Sequence, residues 1–142
     1  MKVSTKGRYG LRAMIELAKK EEAGAVPLRV IAERQGISEQ YLEQLFVNLR
    51  QNNLVKSVRG AHGGYLLKGS AKDINIGDII RALEGPVAPV ECVIERGNCE
   101  HDNGCVARIL WKKVRDSINE VLDSMTLEEL KQKAYIQNSE GE

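Results

Sequence analysis

The sequence predicts a mainly α fold with a small β wing: a winged helix-turn-helix domain followed by a long C-terminal dimerisation helix. Three observations predict it. A short helix, a glycine turn and a second helix with a polar outer face fall between residues 27 and 51, which is the helix-turn-helix pattern. Directly after it come two β-like runs, Leu54 to Val58 and Tyr65 to Lys68, joined by six residues that include Gly60, Gly63 and Gly64. From Val106 onward, Leu110, Val114, Ile118, Val121 and Met125 recur every three or four positions, the period of one helix face.

Each element has a local cause. Ser4 and Thr5 can cap a first helix, whose apolar positions Leu11, Met14, Ile15 and Ala18 have helical spacing and which ends near Glu22. Pro27 suits the first turn of a second helix, where a missing N–H costs nothing, and Gly36 can stop it in a left-handed conformation. Ser38 caps the third helix, in which Leu42, Leu45, Phe46 and Leu49 form an apolar stripe and Gln40, Glu43, Gln44 and Val47 lie on the other side. The glycine-rich connection between the two β-like runs makes a tight hairpin tip. It is no phosphate loop, lacking the G-x-x-x-x-G-K-[ST] pattern and a parallel-sheet unit around it.

Asn75 or Gly77 opens a fourth helix with Ile76, Ile79, Ile80 and Leu83 inward, and Gly85 with Pro86 ends it. Thr126 and Glu129 form a capping box for a final helix. The expected divisions are a DNA-binding domain over 1–85, a linker and cysteine loop over 86–105, and a dimerisation helix with a C-terminal helix over 106–142. Because the first domain already uses its own helices to build a core, the stripe from Val106 finds its economical partner in a second copy of itself, which makes a two-fold homodimer.

The formal net charge of +1 conceals a division. Residues 1–68 hold twelve Lys/Arg against six Asp/Glu, or +6, and the remainder hold nine against fourteen, or −5. A basic half is what phosphate neutralisation needs. With no apolar run long enough to span a bilayer and no secretory leader, the reading is a cytoplasmic protein without a membrane partner. His62 and His101 are the only histidines and no Ser-His-Asp or Cys-His pairing is evident. Neither an enzyme nor a small-molecule substrate is expected.

In the helix-turn-helix geometry the third helix enters the major groove. There Gln pairs bidentately with adenine and Glu accepts from cytosine N4. Gln40 and Gln44 are the candidate base readers, and Tyr41 beside them is grouped with the DNA-facing set. Glu43 discriminates, because a carboxylate near phosphates is repelled unless a cytosine amino group satisfies it. Arg59 can enter a narrow minor groove from the wing, His62 at the wing tip is a further contact, and Lys6, Arg8 and Lys56 suit phosphates. Trp111 and Tyr65 read as packing residues. The expected partner is double-stranded promoter DNA with a palindromic operator.

All three cysteines, Cys92, Cys99 and Cys105, fall within fourteen residues. An odd count cannot be fully paired as disulfides, and the polar stretch carries Gly97 and Gly104. Such a segment reads as a loop that binds something thiolate-loving in a reducing compartment. Structural zinc sites draw cysteines in pairs separated by two to four residues, whereas the gaps here are six and five. Wide gaps favour a two-iron cluster modestly, with zinc and bare thiol redox sensing as alternatives. A small iron-sulfur carrier is the rival of another class, but it would have no use for a wing or a basic half.

The segments MKVSTKGRYGLRAM and ISEQYLEQLFVNLRQNNLVKSVRGAHGGYLL, together with the three-cysteine loop, resemble the Rrf-two family of bacterial winged-helix regulators, and within it the iron-sulfur cluster regulators. The resemblance spans Met1 to about Leu130. It implies a homodimer with a labile [2Fe-2S] cluster that represses cluster-assembly genes. It makes Cys92, Cys99 and Cys105 cluster ligands, Glu43 a determinant of DNA-site discrimination and Arg59 a wing contact. One position departs from the pattern: where the usual fourth ligand is a histidine three residues after the last cysteine, this chain has Arg108, a poor ligand. His101 is the first substitute, with Glu91, Glu95, Glu100 and Asp102 behind it. Arg8, where the family's nitric-oxide sensors have an aspartate, weighs against that subgroup. The cysteine loop weighs against the family's cysteine-metabolism regulators, which lack it.

Overall fold

Six helices and one hairpin account for the regular structure in the computed structural model, which describes residues 2–93 and 106–140, the side chains of Cys92 and of 138–140 excepted. The order is α1 (Thr5–Lys19), α2 (Leu28–Gln35), α3 (Glu39–Gln51), β1 (Val55–Val58), β2 (Gly64–Leu67), α4 (Ile76–Glu84), α5 (Ala107–Asp123) and α6 (Leu127–Glu140). Short 3-10 turns at Ala71–Asp73 and Glu91–Val93 complete it. The winged helix-turn-helix is therefore as the sequence predicts.

The caps act where the residues suggest. Ser4 Oγ accepts from the N–H of Lys6, Ser38 Oγ from that of Tyr41 and Asn75 Oδ1 from that of Gly77, each filling one donor that a helix start leaves unpaired. Gly36 ends α2 at φ 64°, a left-handed conformation that glycine adopts without steric cost. At the far end Thr126 Oγ1 accepts from Glu129 N at 3.3 Å to start α6. Helix α1 stops at Lys19, before the expected Glu22, and runs out through single turns whose N–H groups bond back to Leu17, Ala18 and Lys20.

The core is assembled from one face of every helix except α5. Met14, Leu17, Ile31, Leu42, Leu45, Phe46, Leu49, Ile79 and Leu127 are almost wholly buried in it. Gly7 and Gly10, three residues apart on α1, make room for α4: a Cβ on Gly10 would overlap the Leu83 side chain, and one on Gly7 would meet Glu84 Oε1 at 2.6 Å. Across that contact Glu84 Oε1 accepts from Ser4 N at 2.9 Å, Ser4 Oγ at 2.5 Å and Gly7 N at 2.8 Å. A carboxylate there also meets the positive end of the α1 dipole.

The hairpin is antiparallel, pairing Val55 with Leu67 and Val58 with Gly64. A third stretch holds it to the body: Val26 and Tyr65 exchange two backbone hydrogen bonds of 2.9 Å. Gly64 lies so close to the Val26 backbone that no Cβ would fit. The wing is thus joined to the entry of α2 as well as to its own partner strand.

Helices α5 and α6 diverge in role. On one side α5 meets α4, where Arg81 Nη1 donates to Asn119 Oδ1 at 2.8 Å and Arg81 Nη2 to Asp123 Oδ1 at 2.5 Å and Asp78 Oδ1 at 3.3 Å. Those carboxylates, Asp123 first, hold the guanidinium pKa above its ordinary value. On the other side Val106, Ile109, Leu110 and Val121 remain 78%, 61%, 54% and 63% exposed. Met125, expected to extend this stripe, lies past the end of α5, half-buried, with its carbonyl accepting from Ile76 N. Helix α6 turns back onto α1 through buried Leu127, the Tyr135 hydroxyl donating to the Lys19 carbonyl at 2.9 Å, and Lys131 at 3.6 Å from Glu21.

Candidate nucleic-acid interface and cysteine segment

Burying Leu42, Leu45, Phe46 and Leu49 forces the opposite side of α3 outward, so Gln40, Glu43, Gln44 and Val47 are all exposed. With Tyr65 from β2 they line one shallow groove. Tyr65 does pack, its ring 4.9 Å from that of Phe46 and edge-on to it, as the sequence suggested. It also forms the wall of the groove, a second role that cross-strand position confers and a single-strand pattern does not reveal. Val47 sits between polar side chains as the apolar member of the set.

Tyr41 is half-buried, unlike its neighbours. Its hydroxyl lies 3.0 Å from Thr5 Oγ1 and its ring meets Tyr9 edge-on at 6.3 Å, so it ties the start of α3 to the start of α1. Lys6 and Arg8, exposed on that first turn, share the edge of the molecule where α3 begins. The guanidinium groups of Arg8 and Arg12 each stand 5.8 Å from the Tyr9 ring centroid, a cation–π arrangement. Lys56 on β1, and Arg59 and His62 in the hairpin turn, are exposed. The predicted DNA-facing residues therefore lie on α3, the wing and the α1 N-terminus, with Tyr41 as the bridge between two of these.

Behind α3, α1 and α2 are fixed by a polar cluster around Glu16, which is 7% exposed. Its Oε1 accepts from Gln35 at 3.1 Å and Lys19 at 3.4 Å, and Arg12 donates to Gln35 at 2.8 Å. Arg34 Nε approaches Oε2 at 3.0 Å as an ion pair, out of line for a hydrogen bond. Sequence reasoning passed over Glu16 because a lone glutamate in a helix reads as solvated. Its signal is position: Glu16 falls between the apolar residues Ala13 and Leu17 of the core face.

Of the cysteine segment, Cys99, His101 and Cys105 lie outside the described residues, as do Glu95, Glu100 and Asp102. Cys92 belongs to the turn Glu91–Val93, and Arg108 is half-buried in the first turn of α5. Both ends of the segment abut α5. Val93 is 3% exposed, with its carbonyl accepting from Arg115 Nη1 at 2.6 Å, and Val106 directly precedes the helix. Among the described residues no group of three or more His, Cys, Asp or Glu side chains is placed to hold a metal ion. None of the described helices is long and apolar enough to cross a membrane.

A family model described as Rrf2, iron-dependent transcriptional regulator, matches residues 3–133. The chain belongs to the Rrf2 family. It is accordingly a DNA-binding transcription regulator with the winged-helix architecture of that family. Two relatives bracket it: the HTH-type transcriptional regulator CymR of Bacillus subtilis is 55% identical over 92% of this chain and 89% of its own length. The HTH-type transcriptional regulator IscR of Escherichia coli (strain K12 / DH10B) is 45% identical over 92% of this chain and 80% of its own. Among solved structures, CymR, the global cysteine regulator of B. subtilis, superposes with a TM-score of 0.80 at 51% identity, covering 94% of this chain and 98% of that one. T. potens IscR superposes with a TM-score of 0.76 at 49% identity, covering 94% and 88%. Overall identity thus runs higher to the B. subtilis Rrf2 cysteine regulator than to IscR, although the sequence motifs pointed to the cluster regulators.

Proposed function

We propose that this Rrf2 regulator acts as a homodimer that represses genes of iron-sulfur cluster assembly from palindromic operators and responds to a labile [2Fe-2S] cluster held by Cys92, Cys99 and Cys105. The observation that carries the reading is the attachment of the three-cysteine segment at both ends to α5, whose outer apolar face is the surface available to a second copy. The donor set fits the group: three soft thiolates close in sequence suit iron-sulfur ligation. His101 is the proposed fourth ligand, because Arg108 occupies the usual histidine position and a guanidinium stays protonated.

The chain's own residues would divide the work as follows. Gln40, Glu43 and Gln44 meet base edges in the major groove and Arg59 with His62 meets DNA through the wing, while Lys6, Arg8 and Lys56 contact phosphates. The exposed stripe of α5 joins the protomers. A bound cluster would be held by Cys92, Cys99 and Cys105 with His101, and would supply a group that responds to iron supply and oxidation. Its effect on DNA binding is limited by its differential affinity for the two geometries of the dimer.

Arg108 at the position of the usual histidine ligand favours a second reading, in which the same thiols act as bare redox-sensitive groups. One experiment separates the two: protein purified without oxygen is examined by visible absorption, with iron and acid-labile sulfide counted per chain. Two irons and two sulfides support the cluster. A colourless protein whose operator affinity falls on thiol oxidation supports the second reading. Gel-shift affinity against salt tests the DNA assignment, with log K falling by about 0.9 per neutralised phosphate against log salt.

A further inference from the structure

Between Gly85 and Val93 the chain passes along α5 with little regular structure, so its backbone groups need partners other than a helix or sheet ladder. Two side chains one turn apart on α5 supply them. Arg115 Nη1 donates to the Val93 carbonyl at 2.6 Å. Asn119 Nδ2 donates to the Val87 carbonyl at 3.1 Å while its Oδ1 accepts from Arg81 of α4. The guanidinium of Arg115 is itself oriented, since its Nε and Nη2 both donate to Asp116 Oδ1, at 2.9 and 2.8 Å. That fork leaves Nη1 directed at Val93. A charged donor on the carbonyl of a residue only 3% exposed is among the stronger single hydrogen bonds a protein makes.

We propose that Arg115 is a positioning residue for the first of the three thiolates. By holding the carbonyl of Val93, the residue after Cys92, against α5, and with Asn119 holding that of Val87, five residues before Cys92, it fixes the backbone bearing that thiol before any group is bound. The proposal rests on the cluster reading and deepens it: the turn bearing one ligand is held in advance against the same helix that offers the apolar stripe. Preorganisation of this kind lowers the ordering cost that ligation would otherwise bear. Through Asn119 and Arg81 the turn at Cys92 is also linked to α4, whose Glu84 caps α1.

The test uses the full chain, reduced and cluster-free, with amide hydrogen exchange followed over residues 87–93. Arg115→Met should speed exchange there by about tenfold or more, the factor set by one lost charged hydrogen bond, with exchange of α1 and α3 unchanged. Arg115→Lys, keeping the charge but losing the fork, should fall between. In anaerobically reconstituted protein, iron release to a chelator should accelerate in the same order, methionine before lysine before wild type. Should Arg115→Met fail to fold, Asp116→Asn, which loosens the fork alone, should show the smaller effect in both measurements. Unchanged exchange at 87–93 overturns the proposal, and so does faster exchange with iron release at the wild-type rate. If the wild-type protein takes up no iron, the cluster reading fails separately, and iodoacetamide labelling of Cys92 decides the positioning. A faster rate in Arg115→Met upholds it, and an equal rate overturns it.

Discussion

Glu84 makes three hydrogen bonds to the first turn of α1 from the last turn of α4. Removing it leaves two backbone donors and the Ser4 hydroxyl to water, at the helix end that carries Lys6 and Arg8. Glu84→Ala should lower unfolding free energy by about 1–2 kcal/mol, read from urea denaturation at unchanged slope. A loss no larger than that of an exposed surface substitution would show that the cap contributes little. Glu43 acts in the opposite currency. In the proposed complex its exposed carboxylate would oppose phosphate, so Glu43→Ala should keep or raise affinity for a random duplex while lowering discrimination between operator and mismatch by about 1–3 kcal/mol. Competition gel shifts with the two duplexes measure it.

At the level of elements, α5 presents two contrasting sides. The side toward α4 is polar and paired through Arg81, Asn119 and Asp123, whereas the opposite side exposes Val106, Ile109, Leu110 and Val121. An aspartate in the middle of that apolar side, Leu110→Asp, should convert a dimer to a monomer in sedimentation velocity and weaken binding to a palindromic site at least tenfold. Its folding should be unaffected, because Leu110 touches no core. The first turns of α6 have a pH signature of their own, set by side-chain pairs within the helix. Hydrogen bonds from Lys131 and then Gln132 hold the Glu128 carboxyl below its ordinary pKa, so the ionised form favours the folded chain. That contribution is present above the unfolded carboxyl pKa of about 4.3 and is lost as pH falls through the lower folded value. The difference in Tm between wild type and Glu128→Gln should therefore shrink steadily below about pH 4.

The same elements show what could be read from residues alone. Ser4, Ser38, Asn75 and Thr126 announced helix starts because each cap acts within three residues of itself. The outward set Gln40, Glu43 and Gln44 was legible because the inward stripe beside it has an unmistakable period. Glu84 was not legible, since its partners lie 77 and 80 residues away in sequence. Nor was the return of α6 to α1, because Leu127, Leu130 and Tyr135 on a helix of otherwise charged character give no hint of which surface receives them. Tyr65 was half legible: its packing on Phe46 follows from its type, its place beside Gln40 and Gln44 only from strand pairing.

For the molecule as a whole, the decisive feature is Leu127, fully buried in a core otherwise supplied by residues 13–83. The segment containing the cysteines is not an appendage hung from a finished domain. It lies between α4 and α6, both of which pack into the same core. A chain truncated after Ser124 should lose several degrees of Tm or fail to refold, since a leucine-sized cavity alone costs about 2–5 kcal/mol. During synthesis, the winged helix would remain an unfinished globule until the residues beyond the thiols have left the ribosome. Newly made protein would thus acquire a firm grip on promoters only after its three cysteines have been synthesised, so that no half-made chain binds DNA ahead of them.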